Sequence, residues 1–342
     1  MRIVALEEHC TFPDIAARIS PDAIRARGLT PGGMPVPAVD RREQLRDVGA
    51  ARLADMDAAG ITVQVLSVAQ AGAELLPGEE GASLARDIND RLAQTVAGHS
   101  DRYAAFTHLP TSAPELAAEE LDRCVTQHGF LGGMVNGTTG GLFLDDPKFE
   151  PLLARFERLG VPLYIHPAPP PPAVREAYYD RLPGHSSLLL SIAGWGWHSE
   201  TAIHVLRLVL SGALDRHPKL KLIIGHMGEG LPAMFARCDQ VFADEARDRL
   251  TRTISGTITD QVWVTTSGFF TLPPLMALLM TFGADRVLFS VDYPFSPNGK
   301  GTDFLHSLPI PEADKVKLAH GNADQLLGIG AAQPAPIAAS GA

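Results

Sequence analysis

Near the start of the chain, "LEEHC" places two acids and a histidine directly after a short apolar run, Ile3 to Leu6. Glu7 and His9 are two apart, so on a strand they project from the same side, while Glu8 alternates to the other. A carboxylate and an imidazole on one strand face can begin a metal site; they can equally be a strand end entering solvent. The same residue types recur downstream, with His166 in "YIHP", His226 in "IIGHMGEG" and Asp292 in "SVDYPF". Three or four such N and O ligands suit Zn2+, Mn2+ or Fe2+ and leave positions for water or substrate. Each residue also has an ordinary reading. His166 before proline can be a turn residue, His226 can satisfy a local carbonyl, and Asp292 can cap a helix.

The elements that must carry these residues follow from the apolar pattern. Strand-like runs begin at Ile3, Ile61, Tyr103, Gly129, Val161, Leu220, Gln261 and Asp285. Helical patterns lie between them, including Asp40 to Ala59 ending at Gly60, "GASLARDINDRLAQTVAGH" and "PELAAEELDRCVTQHG". Strands alternating with helices of this length read as βα units around a parallel sheet. Eight units predict an α/β fold of the (β/α)8 TIM-barrel type, and no Gly-rich dinucleotide fingerprint follows the first strand. Glu7 and His9, His108, Asn136, His166, His226, Ser267 and Asp292 then fall at strand C-termini, with Ser67 ending the second strand. That is the face where such barrels build active sites.

Two long loops, residues 10–39 after the first strand and 167–198 after the fifth, belong to that face and read as lids or oligomer contacts. Their aromatic residues Phe12, Tyr178, Trp195 and Trp197, with Phe295, are candidates to sandwich an aromatic ring. The expected organisation is one catalytic domain over residues 1–328 and a low-complexity, disordered tail over 329–342. The other histidines, His198 and His204 among them, read as ordinary surface or packing residues. His108 is expected to pack near the site without an assigned role.

Composition narrows the partners. A net charge of −10 over 342 residues argues against nucleic acid or anionic membrane, and no apolar stretch approaches membrane-spanning length. The N-terminus is too short in apolar residues, and too charged, for a secretory signal peptide. Cys10, Cys124 and Cys238 are odd in number and without CxxC spacing, so a cytoplasmic protein without disulfides is expected.

Together "ALEEH", "YIHP", "WGWHSETAIHVLRLVLSGALDRHPKLKLIIGHMGEGLP" and "ADRVLFSVDYPF" resemble the amidohydrolase superfamily. The similarity is to its metal-dependent aromatic acid decarboxylase branch, the γ-resorcylate and 2,3-dihydroxybenzoate decarboxylase group, and runs to about Leu327. The resemblance implies a barrel with one divalent cation, Mn2+ or Zn2+, held by Glu7, His9, His166 and Asp292. It implies that His226 and Glu229, three apart at the start of a helix, form an acid/base pair. Arg237 matches an arginine that supports that pair or the substrate carboxylate, and a solvated helix face is its other reading. A homodimer or homotetramer acting on a small aromatic carboxylic acid is also implied.

Hydrolytic members usually open with His-x-His, and this chain has Glu-x-His. A carboxylate in place of an imidazole lowers the site's positive charge by one, weakening activation of water and favouring a chelating anionic substrate. The expected reaction is non-oxidative decarboxylation of an ortho-hydroxybenzoate: the ring carbon is protonated, then CO2 leaves. The alternative is a metal-dependent hydrolase or hydratase acting on a lactone, amide or dicarboxylate.

Overall fold

A computed structural model describes residues 1–31 and 40–330. All eight expected strands are present. They are β1 (Val4–Cys10), β2 (Val63–Val68), β3 (Tyr103–Ala105) with β4 (Thr107–His108), β5 (Gly133–Asn136), β6 (Leu163–His166), β7 (Leu222–Ile224), β8 (Val262–Thr265) and β9 (Val287–Leu288). Each pairs in parallel with the next, in the orders β1-β2-β3 and β4-β5-β6-β7-β8-β9.

β3 and β4 are one stave that changes partner at Phe106. Phe106 N donates to Leu66 O in β2, and Thr107 N donates to Gly132 O just before β5. The other junction closes through a parallel bridge between Glu8 and Tyr293, with His9 N donating to Tyr293 O at 2.7 Å. The (β/α)8 TIM-type barrel read from the alternating βα pattern is therefore the fold observed.

The apolar residues separate into two layers. Val4, Leu6, Phe106, Tyr164, Ile223 and Leu288 pack together inside the ring. Ile3, Ala5 and Cys10 instead join the larger layer that the surrounding helices cover. Strict alternation from Ile3 and Ala5 would send Glu7 and His9 outward as well. A register shift between Ala5 and Glu8 in the β1–β2 pairing reverses the alternation and turns Glu7 and His9 inward.

The helix expected from Asp40 to Ala59 is two, Arg42–Arg46 and Ala50–Ala59. Asp47 divides them, because its side chain accepts from Gly49 N at 2.8 Å and Arg52 N at 3.0 Å. Such local capping competes with a continuous helix. Gly60 ends the second at φ 70°, as a C-terminal glycine does. The three cysteines are free and buried. Among the described residues no helix is long and apolar enough to cross a membrane. The expected disordered tail falls almost wholly on residues 331–342, outside the described residues, as does most of "PGGMPVP".

Candidate metal centre

Glu7 and His9 come from β1, His166 ends β6, and Asp292 lies on the turn after β9. One ligand atom from each meets the others within 4.8 Å. His9 Nε2 is 3.2 Å from Asp292 Oδ1, and His166 Nε2 is 3.2 Å from Glu7 Oε1. The spread fits atoms arranged about one ion at bonds of about 2.1 Å.

The donor chemistry fits a cation too. Glu7 Oε1 and His9 Nε2 are buried and have no hydrogen-bond partner among the described residues. Burial lowers the His9 pKa, which favours the neutral ring with a lone pair to offer. Burial pushes Glu7 up, but His226, His166 and His9 outweigh it and hold the carboxyl well below its usual range. An ionised carboxylate beside a neutral imidazole is the form in which these side chains bind metal.

A second set of contacts aims the ligands. Ser67 Oγ lies 3.0 Å from His9 Nδ1, so Nε2 is the nitrogen that faces the cluster. Tyr164 and Ser267 hydroxyls both donate to Glu7 Oε2, leaving Oε1 free. Such outer contacts fix ligand orientation and tune affinity. Tyr164 carries no mark of its own in the sequence beyond its place two before His166 on one strand, which puts both on the inner face. Gly225 sits close behind: a Cβ there would meet Glu7 Oε2 at 2.8 Å.

His226 and Glu229 meet as the resemblance implies, Nδ1 to Oε1 at 2.9 Å, but not at the start of a right-handed helix. His226, Met227, Gly228, Glu229 and Gly230 all have positive φ, from 51° to 85°. This left-handed turn is what brings positions three apart together. Glycine at 228 and 230 relieves a conformation that costs other residues roughly 1–2 kcal/mol each. His226 Nε2 faces Glu7 Oε1 and Asp292 Oδ2, each at 3.8 Å. Burial lowers the His226 pKa, yet Glu229, Glu7 and Asp292 together raise it well above the ordinary value.

Other expectations divide. Phe295 stands at the cluster, its ring 5.7 Å from His9. Tyr178 and Trp195 are exposed, at 77% and 61%, so they point to solvent rather than into a pocket. Phe269, unremarked in the sequence, stands edge-on to His226 at 5.6 Å. His108 is buried and accepts from Ala73 N at 2.9 Å, holding the loop after β2. Arg237 lies on a solvated helix face of this chain. It is exposed on the helix Phe235–Val241, donates to Gln240 Oε1, and among the described residues makes no hydrogen bond to His226 or Glu229. The left-handed turn ends the run that holds the pair, and the helix beyond it carries Arg237 outward. His198, read as ordinary, instead lies 2.5 Å from Glu229.

Comparison with known proteins identifies the family and the fold. The amidohydrolase family model matches residues 9–329. The γ-resorcylate decarboxylase of Rhizobium sp. (strain MTP-10005) is 37% identical over 333 residues, covering 94% of this chain and 97% of that one. The 5-carboxyvanillate decarboxylase of Sphingomonas paucimobilis superposes with a TM-score of 0.86 at 33% identity, covering 96% of this chain and 99% of the other. The dihydroxybenzoic acid decarboxylase of Polaromonas sp. JS666, solved with manganese and the inhibitor 2-nitroresorcinol, gives 0.81 at 32% identity, covering 96% and 97%.

Proposed function

The chain belongs to the amidohydrolase family, and on that footing we propose that it catalyses metal-dependent, non-oxidative decarboxylation of an aromatic acid with a hydroxyl ortho to its carboxylate. The observation that carries this reading is the convergence of Glu7, His9, His166 and Asp292, with His226 3.8 Å from two of them.

Those four residues would hold one divalent cation, Mn2+ or Zn2+. When bound, it would supply the positive charge that organises the substrate's carboxylate and neighbouring hydroxyl. Losing CO2 directly would leave an aryl anion, so the ring carbon is protonated first. The C–CO2 bond then breaks, its electron pair restores the aromatic ring, and CO2 leaves. One proton is consumed per turnover.

In this reading His226, held at Nδ1 by Glu229, is the proton store, and Asp292 Oδ2 beside it is the delivering atom. Ser67, Tyr164 and Ser267 keep the ligands aimed. Phe295 and Phe269 line the approach and would pack against the ring. The catalytic unit is residues 1–328 as one domain, working in the cytoplasm as a homodimer or homotetramer. The exposed Tyr178, Trp195 and Met280 side chains support an assembled state.

The test is metal analysis of the purified protein joined to a panel of ortho-hydroxybenzoates, followed by CO2 release and loss of aromatic-acid absorbance. The expected result is CO2 release that chelator abolishes and Mn2+ or Zn2+ restores. Bound metal without CO2 from any member of the panel would overturn decarboxylation; no bound metal would overturn the centre itself.

A further inference from the structure

A second cluster stands beside the first and is built from two neighbouring staves. His226 and Glu229 follow β7, while His198 comes from the connection after β6, in the first turn of the helix Gly196–Leu210. Glu229 has a fully buried side chain, and each of its oxygens meets a different imidazole. Oε1 is 2.9 Å from His226 Nδ1, and Oε2 is 2.5 Å from His198 Nδ1. The other nitrogen of His198, Nε2, lies 3.1 Å from Ala193 O in the turn before its helix. The two rings meet edge-on at 4.9 Å, and Phe269 stands edge-on to His198 at 5.2 Å.

We infer that His198 is a positioning residue for the decarboxylation proposed above, acting through Glu229 on His226; the inference rests on that reading for its kinetic part only. A buried carboxylate is tolerated when charge-assisted hydrogen bonds satisfy its oxygens. With His226 alone, Oε2 would be bare, and the carboxylate could rotate about its terminal torsion, which has only a soft preference. His198 takes that second oxygen and stops the rotation. Oε1 is then held against His226 Nδ1, which fixes the ring with Nε2 toward Glu7 and Asp292. Ala193 O in turn holds His198, so the string is anchored to the long connection after β6. That connection covers the same face of the barrel as the ligands.

The same three side chains could in principle surround an ion, since their ligand atoms also lie within 4.8 Å. The contacts favour hydrogen bonds instead. Each Nδ1 meets its own carboxylate oxygen at direct hydrogen-bond distance, 2.9 Å for His226 and 2.5 Å for His198, rather than all three side chains aiming at one shared point. One metal per chain is therefore expected, held by the first cluster.

The experiment uses the full-length protein loaded with diamagnetic Zn2+ and labelled with 15N-histidine, alongside H198A and H198N. In the wild type, imidazole N–H protons bonded to Glu229 should give two resonances far downfield. H198A should remove one and move the other. On an ortho-hydroxybenzoate turned over by the wild type, H198A should lower kcat by about 10- to 100-fold, the usual scale for losing an orienting contact, with KM nearly unchanged. H198N, whose amide N–H can replace the Nδ1 donor, should recover most of that loss at the same metal content. A purely structural role would instead lower thermal stability and leave kcat per folded molecule unchanged. The inference is overturned by an unmoved His226 resonance in H198A, by wild-type kcat in H198A, or by two metals per wild-type chain. The resonances need no substrate, so they decide the string even where no acid on the panel is decarboxylated.

Discussion

Glu8 grips the backbone on both sides of Asp292: Oε1 accepts from Val291 N at 2.8 Å and Oε2 from Tyr293 N at 3.0 Å. Ser290 Oγ donates to Oε1 as well, at 3.1 Å. Asp292 sits between these anchors at φ 67°, a conformation that a non-glycine residue keeps only when its surroundings impose it. The residue that faces away from the ligands thus sets the position of one of them. Burial leaves the Glu8 carboxyl raised to about 8 even though the Val291 amide, Arg52, the Tyr293 amide and Ser290 all act to lower it. Three donors converge on the carboxylate, and among the described residues no acceptor faces it; that geometry favours the ionised form.

Glu8→Gln keeps the shape but turns an amide NH2 toward a backbone donor. One buried N–H loses its acceptor, so stability should fall by about 1–3 kcal/mol. Metal affinity should fall with it as Asp292 loses its fixed position. Urea unfolding and a metal titration check both, and wild-type values in the two together would refute the clamp.

Tyr164→Phe removes only a hydroxyl. It frees Glu7 Oε2 from one of its donors and lets the carboxylate turn, so metal affinity should drop by about 10- to 100-fold with the fold retained. Competition with a chelator of known affinity measures this. An unchanged affinity would mean that Ser267 and Thr265, which also donate to Oε2, suffice to orient Glu7.

Asp292→Asn and His226→Asn separate ligand from proton source. Both should lower turnover of an ortho-hydroxybenzoate by about 100-fold or more. Asp292→Asn should also weaken metal binding, whereas His226→Asn should retain the metal. Full activity in either variant would remove that residue from the reaction.

His204 gives the fold a pH response away from the site. It is fully buried, and burial pushes its pKa down to about 3 from an unfolded value near 6.5. Its Nε2 accepts from Leu144 N at 3.0 Å, a role for the neutral ring. A depressed pKa means that the contribution is complete above about pH 6.5 and is lost as pH falls toward 3. The slope from this one group is at most about 1.4 kcal/mol per pH unit. His204→Gln keeps an acceptor but cannot titrate. The stability gap between wild type and variant, measured by urea unfolding at about pH 7 and about pH 5, should shift toward the variant at the lower pH. Parallel curves would show that His204 does not carry the response.

Much of this molecule is legible in its sequence because the controlling rules are local. Apolar runs alternating with amphipathic helices specify βα units, and a parallel barrel places every strand end on one face. His166 and Asp292, far apart in the chain, therefore meet Glu7 and His9. Tyr164 was legible in principle from its place two before His166, but a buried tyrosine in a strand also reads as core.

Other features depend on how separate staves meet, and no spacing rule reaches them. The apolar alternation of Ile3 and Ala5 points Glu7 and His9 away from the barrel, and only the shifted β1–β2 register turns them inward. Glu8 became a clamp because the ring closes between β1 and the turn after β9. His198 lies 31 residues from Glu229, and only the packing of the β6 connection against the turn after β7 brings them together. Arg237 shares a stretch of chain with Glu229, yet the left-handed turn and the helix after it carry it to the surface. The sequence by itself determined which chemical groups this protein has and which end of its strands bears them. Ring closure and strand register, set by contacts between residues distant in the chain, decided which of those groups touch.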